Sequence, residues 1–391
     1  MRRITSMNIG LISLCLSLWA LWGFGNTTVV LGQAEADTDF RDEFFRLCDI
    51  ATEELNKDFS PFGERDNADP KTHHVPFFED GSAIRALAVG YELTDKKDYL
   101  EACKYWCDRM IAYQEQMIPK GAYYLNYAGT RGPGEKEGMW YISDAGTVGM
   151  AVLATAVRCE DQAAKQRYIN SVTSFAKVVM ADRIGKGGGI IEHLWGNFKE
   201  EWWCSTATFG SLAFHLYDET GDEQYLKVGL DALRWMIGRD FRQAKVIGFD
   251  QRPSGVVFYD FQLYVAGLKH LPEDSKERQS ATMQISKAIQ WMAENQRGRG
   301  RNPPWSYRDD GHTDMAALPF LMYAFADQLP EHQDLNPAAD RELRYVAGLI
   351  FESGDPAVSR LKVWELVSWG MLSYAEKLSP GSLFRASKQQ P

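Results

Sequence analysis

Two kinds of helix-period segment alternate along this chain, and that alternation limits the folds open to it more than any other feature. Segments near 38–57, 97–117, 163–182, 222–240, 276–296 and 337–351 carry charge along one face, as Lys97, Asp98, Glu101, Lys104 and Asp108 do. Each is followed by a segment of small and apolar residues, near 78–93, 143–158, 203–219, 256–270, 312–328 and 361–377. In the first of these Ile84, Leu87, Ala88 and Tyr91 share a face; in the second, Ala145 to Val152 is uncharged on every side. A helix apolar all round is touched all round, so the second member of each pair belongs to an inner ring and the first to an outer one. Twelve helices in six pairs predict an all-α (α/α)6 toroid, with an open helical superhelix as the competing arrangement of the same hairpins. No strand-rich region interrupts the pattern, since period-2 stretches such as Ile190-Ile191 are too short.

Loop lengths then say which end of the barrel to inspect. Turns from inner to outer helix are short, as at Thr94-Asp95-Lys96-Lys97 and Thr220-Gly221-Asp222. Connections from one hairpin to the next run to roughly 10 to 25 residues, where helical bundles usually use about 2 to 8. All the long loops therefore gather at the amino ends of the inner helices. Long loops on one side of a rigid scaffold are where binding and catalysis concentrate.

Composition bounds the rest. A chain of 391 residues with 45% apolar content, 12 Trp, 17 Tyr and 20 Phe has enough apolar bulk for one large core. Arg2 and Arg3 precede an apolar run from Ile9 to Phe24, and Gly32-Gln33-Ala34 offers small residues for cleavage. The expectation is a signal peptide over 1–34, a single catalytic barrel over 35–391, export to the periplasm or medium, and no stable membrane association after cleavage. The net charge of -10, made more acidic by loss of those two Arg, disfavours nucleic acid or an anionic membrane surface as partner. Cys48, Cys103, Cys107, Cys159 and Cys204 form no CxxC pairing, so they indicate neither a disulfide framework nor a zinc site, and no cofactor or metal is implied.

Acids recur where the inner helices begin: Asp80, Asp144, Asp260, Asp314 and Glu365, with Ser205 in the matching place on the third. Two readings stand side by side. Asp is a favoured N-cap that accepts the free N–H groups of a first turn. Closure into a toroid would also aim these carboxyl groups at one cavity, where burial separates their pKa values and lets one donate a proton while another accepts it. Asp80 follows His73-His74-Val75-Pro76-Phe77-Phe78-Glu79, and Asp144 follows Trp140-Tyr141-Ile142-Ser143. Rings beside carboxyl groups suit a sugar, because aromatic faces stack on the apolar faces of pyranoses while acids handle hydroxyls.

The remaining candidates lie in other long loops. Gly187-Gly188-Gly189 lacks the Lys-Ser/Thr ending of a phosphate loop and reads as a turn, followed by His193 as a ligand or proton carrier. Trp305, Tyr307, Arg308 and His312 sit in one loop, where Arg308 has the fork to clamp a carboxylate and competes for that role with pairing to Asp309 or Asp310. Tyr259 and Asp260 form a similar set. The amino ends of the inner helices add positive potential to this rim and favour an anionic ligand. Catalysis is thus expected from Asp144 and Asp80, and substrate contacts from His74, Trp140, Tyr141, His193, Trp203, Tyr259, Asp260, Trp305, Arg308 and His312.

The pattern resembles the six-hairpin glycosidase superfamily, and within it the unsaturated glucuronyl and unsaturated rhamnogalacturonyl hydrolases. Phe78-Glu79-Asp80-Gly81 looks like the first inner helix of those enzymes, and Ser143-Asp144-Ala145-Gly146 like the second. The resemblance implies that Asp144 protonates the vinyl-ether carbon of a 4,5-unsaturated uronic acid and activates water, with Asp80 assisting. Where those families carry Trp-x-Arg-Gly at the third inner helix, this chain has Trp202-Trp203-Cys204-Ser205-Thr206, which leaves the substrate open. The expected function is a secreted glycoside hydrolase acting on uronic-acid-containing oligosaccharides. A polysaccharide lyase or sugar epimerase on the same fold, and a non-catalytic glycan-binding protein, are the alternatives.

Overall fold

A computed structural model describes residues 40–56, 77–125, 140–193, 199–241, 261–296, 317–351 and 356–385. The expected leader over 1–34 and six of the candidates, His74, Tyr259, Asp260, Trp305, Arg308 and His312, lie outside them. Residues from Asp39 onward form one compact unit.

The charged, one-faced segments form α1 (Phe40–Leu55), α3 (Lys97–Gln114), α5 (Gln162–Asp182), α7 (Glu223–Ile237), α9 (Lys276–Gln296) and α11 (Asn336–Phe351). The apolar segments form α2 (Phe77–Thr94), α4 (Ile142–Ala156), α6 (Trp203–Thr220), α8 (261–267), α10 (Ala317–Ala324) and α12 (Pro356–Leu378). In α2 every residue from Phe77 to Gly90 is buried, and in α4 every residue from Ala145 to Ala156. Outer α3 by contrast buries only one face, through Tyr99, Ala102, Cys103, Trp106 and Met110.

The inner helices close on themselves. α2 packs on α4 and α4 on α6, α6 meets α8 where Gly210 faces Leu263 and Gly267 faces Phe214, α10 packs on α12, and α12 returns to α2. That last contact excludes the open superhelix, whose first and last inner helices never touch. Small residues let the ring draw tight near its long-loop end. A Cβ on Gly146 of α4 would sit 2.8 Å from the Thr208 hydroxyl and 3.1 Å from its backbone carbon on α6.

Capping separates the two ends of the barrel. At the short turns, Asp161 and Asp222 are true N-caps: Asp161 accepts from the N–H groups of Ala163 and Ala164, and Asp222 from Gln224. At the long-loop end the N-cap positions of α4 and α6 are Tyr141 and Trp202, and neither side chain makes a cap bond. Among the described helix starts, aspartate caps are seen on outer α5 and α7 and not on inner α4 or α6.

One departure from an all-helical chain bears on the site. β1 (Ile190–Ile191) and β2 (Glu201–Trp202) pair antiparallel, Ile190 opposite Trp202 and Ile191 opposite Glu201. The glycines before β1 act as a turn, with Gly188 at φ +92, a left-handed conformation that side-chain-bearing residues avoid. The hairpin delivers Glu192 and His193 to the starts of α4 and α6. All five cysteines among the described residues are buried free thiols, and no described helix is long and apolar enough to cross a membrane.

Candidate active site

The amino end of α4 is held by a residue the sequence did not single out. Glu192, 1% exposed, reaches from the end of β1 so that one carboxylate oxygen accepts the N–H groups of Ile142 at 2.5 Å and His193 at 2.7 Å. The other oxygen accepts the N–H of Ser143 at 3.1 Å and the hydroxyl of Ser205 at 3.0 Å. Four donors, three of them helix-end or strand-end amides, meet the cost of burying this carboxyl group. The first two amides of α4 are therefore capped from across the site, and Asp144 two positions further on does not do that work. The positive end of α4 is likewise matched by Glu192, so the anion-favouring field expected there is already answered within the chain.

Asp144 is partly exposed in the first turn of α4. Tyr141 is half-buried beside it, and its phenol is held above its ordinary pKa first by burial and then by the neighbouring Asp144 and Glu192 carboxylates. Trp140, 2% exposed, lies flat on the His193 ring with centroids 4.2 Å apart and planes 16° from parallel. The indole Nε1 of Trp140 and the Nδ1 of His193 are buried polar atoms with no hydrogen-bond partner. Such atoms are costly to leave without a partner. Burial, helped by Arg183, lowers the His193 pKa to about 4, so the ring is neutral around pH 7.

Asp80 has a different setting. It is 0% exposed in the first turn of α2, and its two carboxylate oxygens accept the indole N–H of Trp364 on α12 at 3.0 Å and of Trp106 on outer α3 at 3.3 Å. Neither indole is a cap, and the carboxylate ties three helices at one point. Gly81, next to it, packs on Thr147 of α4, one turn past Asp144. The two aspartates thus occupy adjoining inner helices, one enclosed and one open.

Trp203 packs edge-on against Trp235 of outer α7, with centroids 5.3 Å apart, and Trp235 donates its N–H to Glu201 at 2.6 Å. Of the described candidates, the structure gathers Trp140, Tyr141, Asp144 and His193 at one helix start, sets Asp80 behind them, and turns Trp203 toward the outer ring.

No protein-family model and no curated protein matches the chain. Solved structures do. A possible member of the GH105 family from Salmonella enterica serovar Paratyphi A aligns over 92% of this chain and 99% of its own, with TM-score 0.59 at 13% identity. A family 76 glycoside hydrolase from a bovine Bacteroides thetaiotaomicron strain aligns over 88% and 78%, with TM-score 0.56 at 13% identity. This chain has the six-hairpin glycosidase fold. A polysaccharide lyase shares this six-hairpin barrel, aligning over 86% of this chain and 97% of its own with TM-score 0.51 at 14% identity. At such identities the six-hairpin likeness speaks for architecture, and reaction and substrate rest on the site.

Proposed function

We propose that this protein is an exported carbohydrate-active enzyme, a glycoside hydrolase that acts on oligosaccharides bearing an unsaturated uronic acid, with Asp144 as general acid and base. The observation that carries this reading is the division of labour at α4: Glu192, not Asp144, caps the first two amides of the helix, and Asp144 stands partly exposed near the Tyr141 phenol. In this reading the pyranose ring sits at the amino end of α4, where Tyr141 and the partly exposed His193 line it, and Asp144 delivers a proton to the vinyl-ether carbon. The conjugate carboxylate then takes a proton from the attacking water. Asp80, closed to solvent, serves from behind by fixing α2, α3 and α12. Exported location and cleavage of the leader belong to the same proposal, on the strength of Arg2, Arg3 and the apolar run after them.

A lyase or epimerase is the second reading, favoured by the neutral His193, since abstraction of a proton beside a uronate carboxyl group needs a neutral base. A base with pKa about 4 is a weak one near neutral pH, which ranks this reading below the hydrolase. Incubation with intact polyuronates and with lyase-generated unsaturated oligomers separates the two. A hydrolase consumes the ultraviolet absorbance of the conjugated uronate in the oligomers, whereas a lyase generates it from the intact polymer. Binding with neither change supports a non-catalytic protein instead.

A further inference from the structure

We propose that Glu192 is a positioning residue for Asp144: its carboxylate locks the start of α4 to the end of β1 and to α6, and so fixes the acid in the first turn of α4. The proposal rests on the hydrolase reading for its kinetic consequence and on geometry alone for its structural one.

The geometry is specific. An ordinary cap is local and holds only its own helix. Glu192 lies 50 residues from Ile142 in sequence and joins three elements through one group: α4 by two amides, the His193 backbone by a third, and α6 by the Ser205 hydroxyl. Ser205 occupies on α6 the place that acids take on α2 and α4, and instead of projecting a carboxyl group it holds one. The amide of Ser143, immediately before Asp144, is bound by the oxygen that Ser205 also binds. The backbone of His193, whose ring stacks on Trp140, is bound by the oxygen that holds Ile142. The helix start that bears the acid, the His193 backbone and α6 are thereby referred to a single buried carboxylate. A general acid displaced by about 1 Å loses on the order of a hundredfold in rate, which makes such a reference point worth its burial.

The decisive variant is Glu192→Gln. An amide oxygen in place of the first carboxylate oxygen keeps the Ile142 and His193 bonds, and the Ser205 hydroxyl can turn to accept. The amide nitrogen then faces the Ser143 N–H, donor against donor, so the perturbation falls on the residue next to Asp144. On whichever unsaturated oligomer the wild type turns over, kcat is expected to fall at least ~10-fold while KM stays within ~3-fold, because the binding surface is retained and the acid is misplaced. A readout independent of substrate is the Tyr141 phenol, which both carboxylates raise. In protein carrying fluorinated tyrosine, with Tyr141→Phe assigning the signal, the 19F titration of Tyr141 moves to lower pH in Glu192→Gln.

Absence of turnover by the wild type defeats the hydrolase reading, while the Tyr141 titration still decides whether Glu192 sits where proposed. Turnover by the wild type with kcat of Glu192→Gln unchanged within ~2-fold and Tyr141 unmoved overturns the proposal and leaves the hydrolase standing. Should Glu192→Gln fail to fold, Ser205→Ala, which removes one of the four bonds, carries the test. A kcat lowered ~3- to 10-fold with KM retained supports the positioning role, and an unchanged kcat refutes it.

Discussion

Deep in the barrel, Glu376 sets a pH dependence of stability that can be worked out from its surroundings. It lies near the carboxyl end of α12 and is 1% exposed. One oxygen accepts the Gly381 N–H at 3.0 Å, and the other is buried without a hydrogen-bond partner. The positive charge of Arg85 on α2 offsets burial only in part, so the carboxyl group is pushed up from 4.5 to about 7. Between those values the folded state keeps a proton that the unfolded chain has released. The contribution is therefore fully present below about pH 4.5 and is lost as pH rises through about 7. At about 1.4 kcal/mol per pH unit, that window is worth roughly 3 kcal/mol. Glu376→Gln mimics the protonated form, retains an acceptor for Gly381 and cannot ionise, and Arg85 faces a neutral neighbour in it at every pH. Urea unfolding should find the variant within about 1 kcal/mol of wild type at pH 5 and more stable by about 3 kcal/mol at pH 8.5. Parallel stability curves for the two proteins, or a variant no more stable at pH 8.5, would refute the reasoning.

Three further outcomes follow from the site and its frame. Asp80→Asn keeps an acceptor for one indole and turns an amide nitrogen toward the other, so it should lower unfolding stability by about 1–3 kcal/mol, whereas partly exposed Asp144→Asn should cost less than about 1 kcal/mol; urea titrations of the pair check the contrast. The imidazole of His193, with its pKa lowered to about 4, should stay neutral in NMR titrations until the pH falls to that region, and its contribution to stability is lost as pH drops from about 6.5 through about 4. Gly146→Ala gains at most about 1 kcal/mol of helix propensity and loses more by driving a methyl to 2.8 Å from Thr208, so a net loss of about 1–2 kcal/mol is expected by thermal or urea unfolding.

Much of this architecture was legible because burial on all sides leaves a compositional mark: Ala145 to Val152 contains no charge, and Lys97 to Asp108 carries charge on one face only. The short turns were legible for the same reason that Asp161 and Asp222 cap helices there, through local side-chain chemistry. At the long-loop end the same inference failed in part, because residues far apart in sequence do the capping. Nothing within a few residues of Ile142 announces that Glu192 will hold its amide. Asp80 was readable as a helix-start acid but not as an enclosed one, since its burial depends on Trp364 arriving from the far end of the chain to close the ring. Arg85 and Glu376 are charged residues on helices buried all round, a placement that demands partners, and Arg85 meets Gln262 of α8 at 2.5 Å as well as the field of Glu376.

Turnover of unsaturated uronyl oligosaccharides by wild type and by Asp144→Asn, followed through the ultraviolet absorbance of the conjugated uronate, tests the central claim most directly. The account predicts that wild type removes the absorbance and that Asp144→Asn, folded and of near-wild-type stability, does so at least ~1000-fold more slowly. Loss of absorbance at the wild-type rate in the variant would contradict the assignment of Asp144, and no loss with any unsaturated oligomer would contradict the reaction itself.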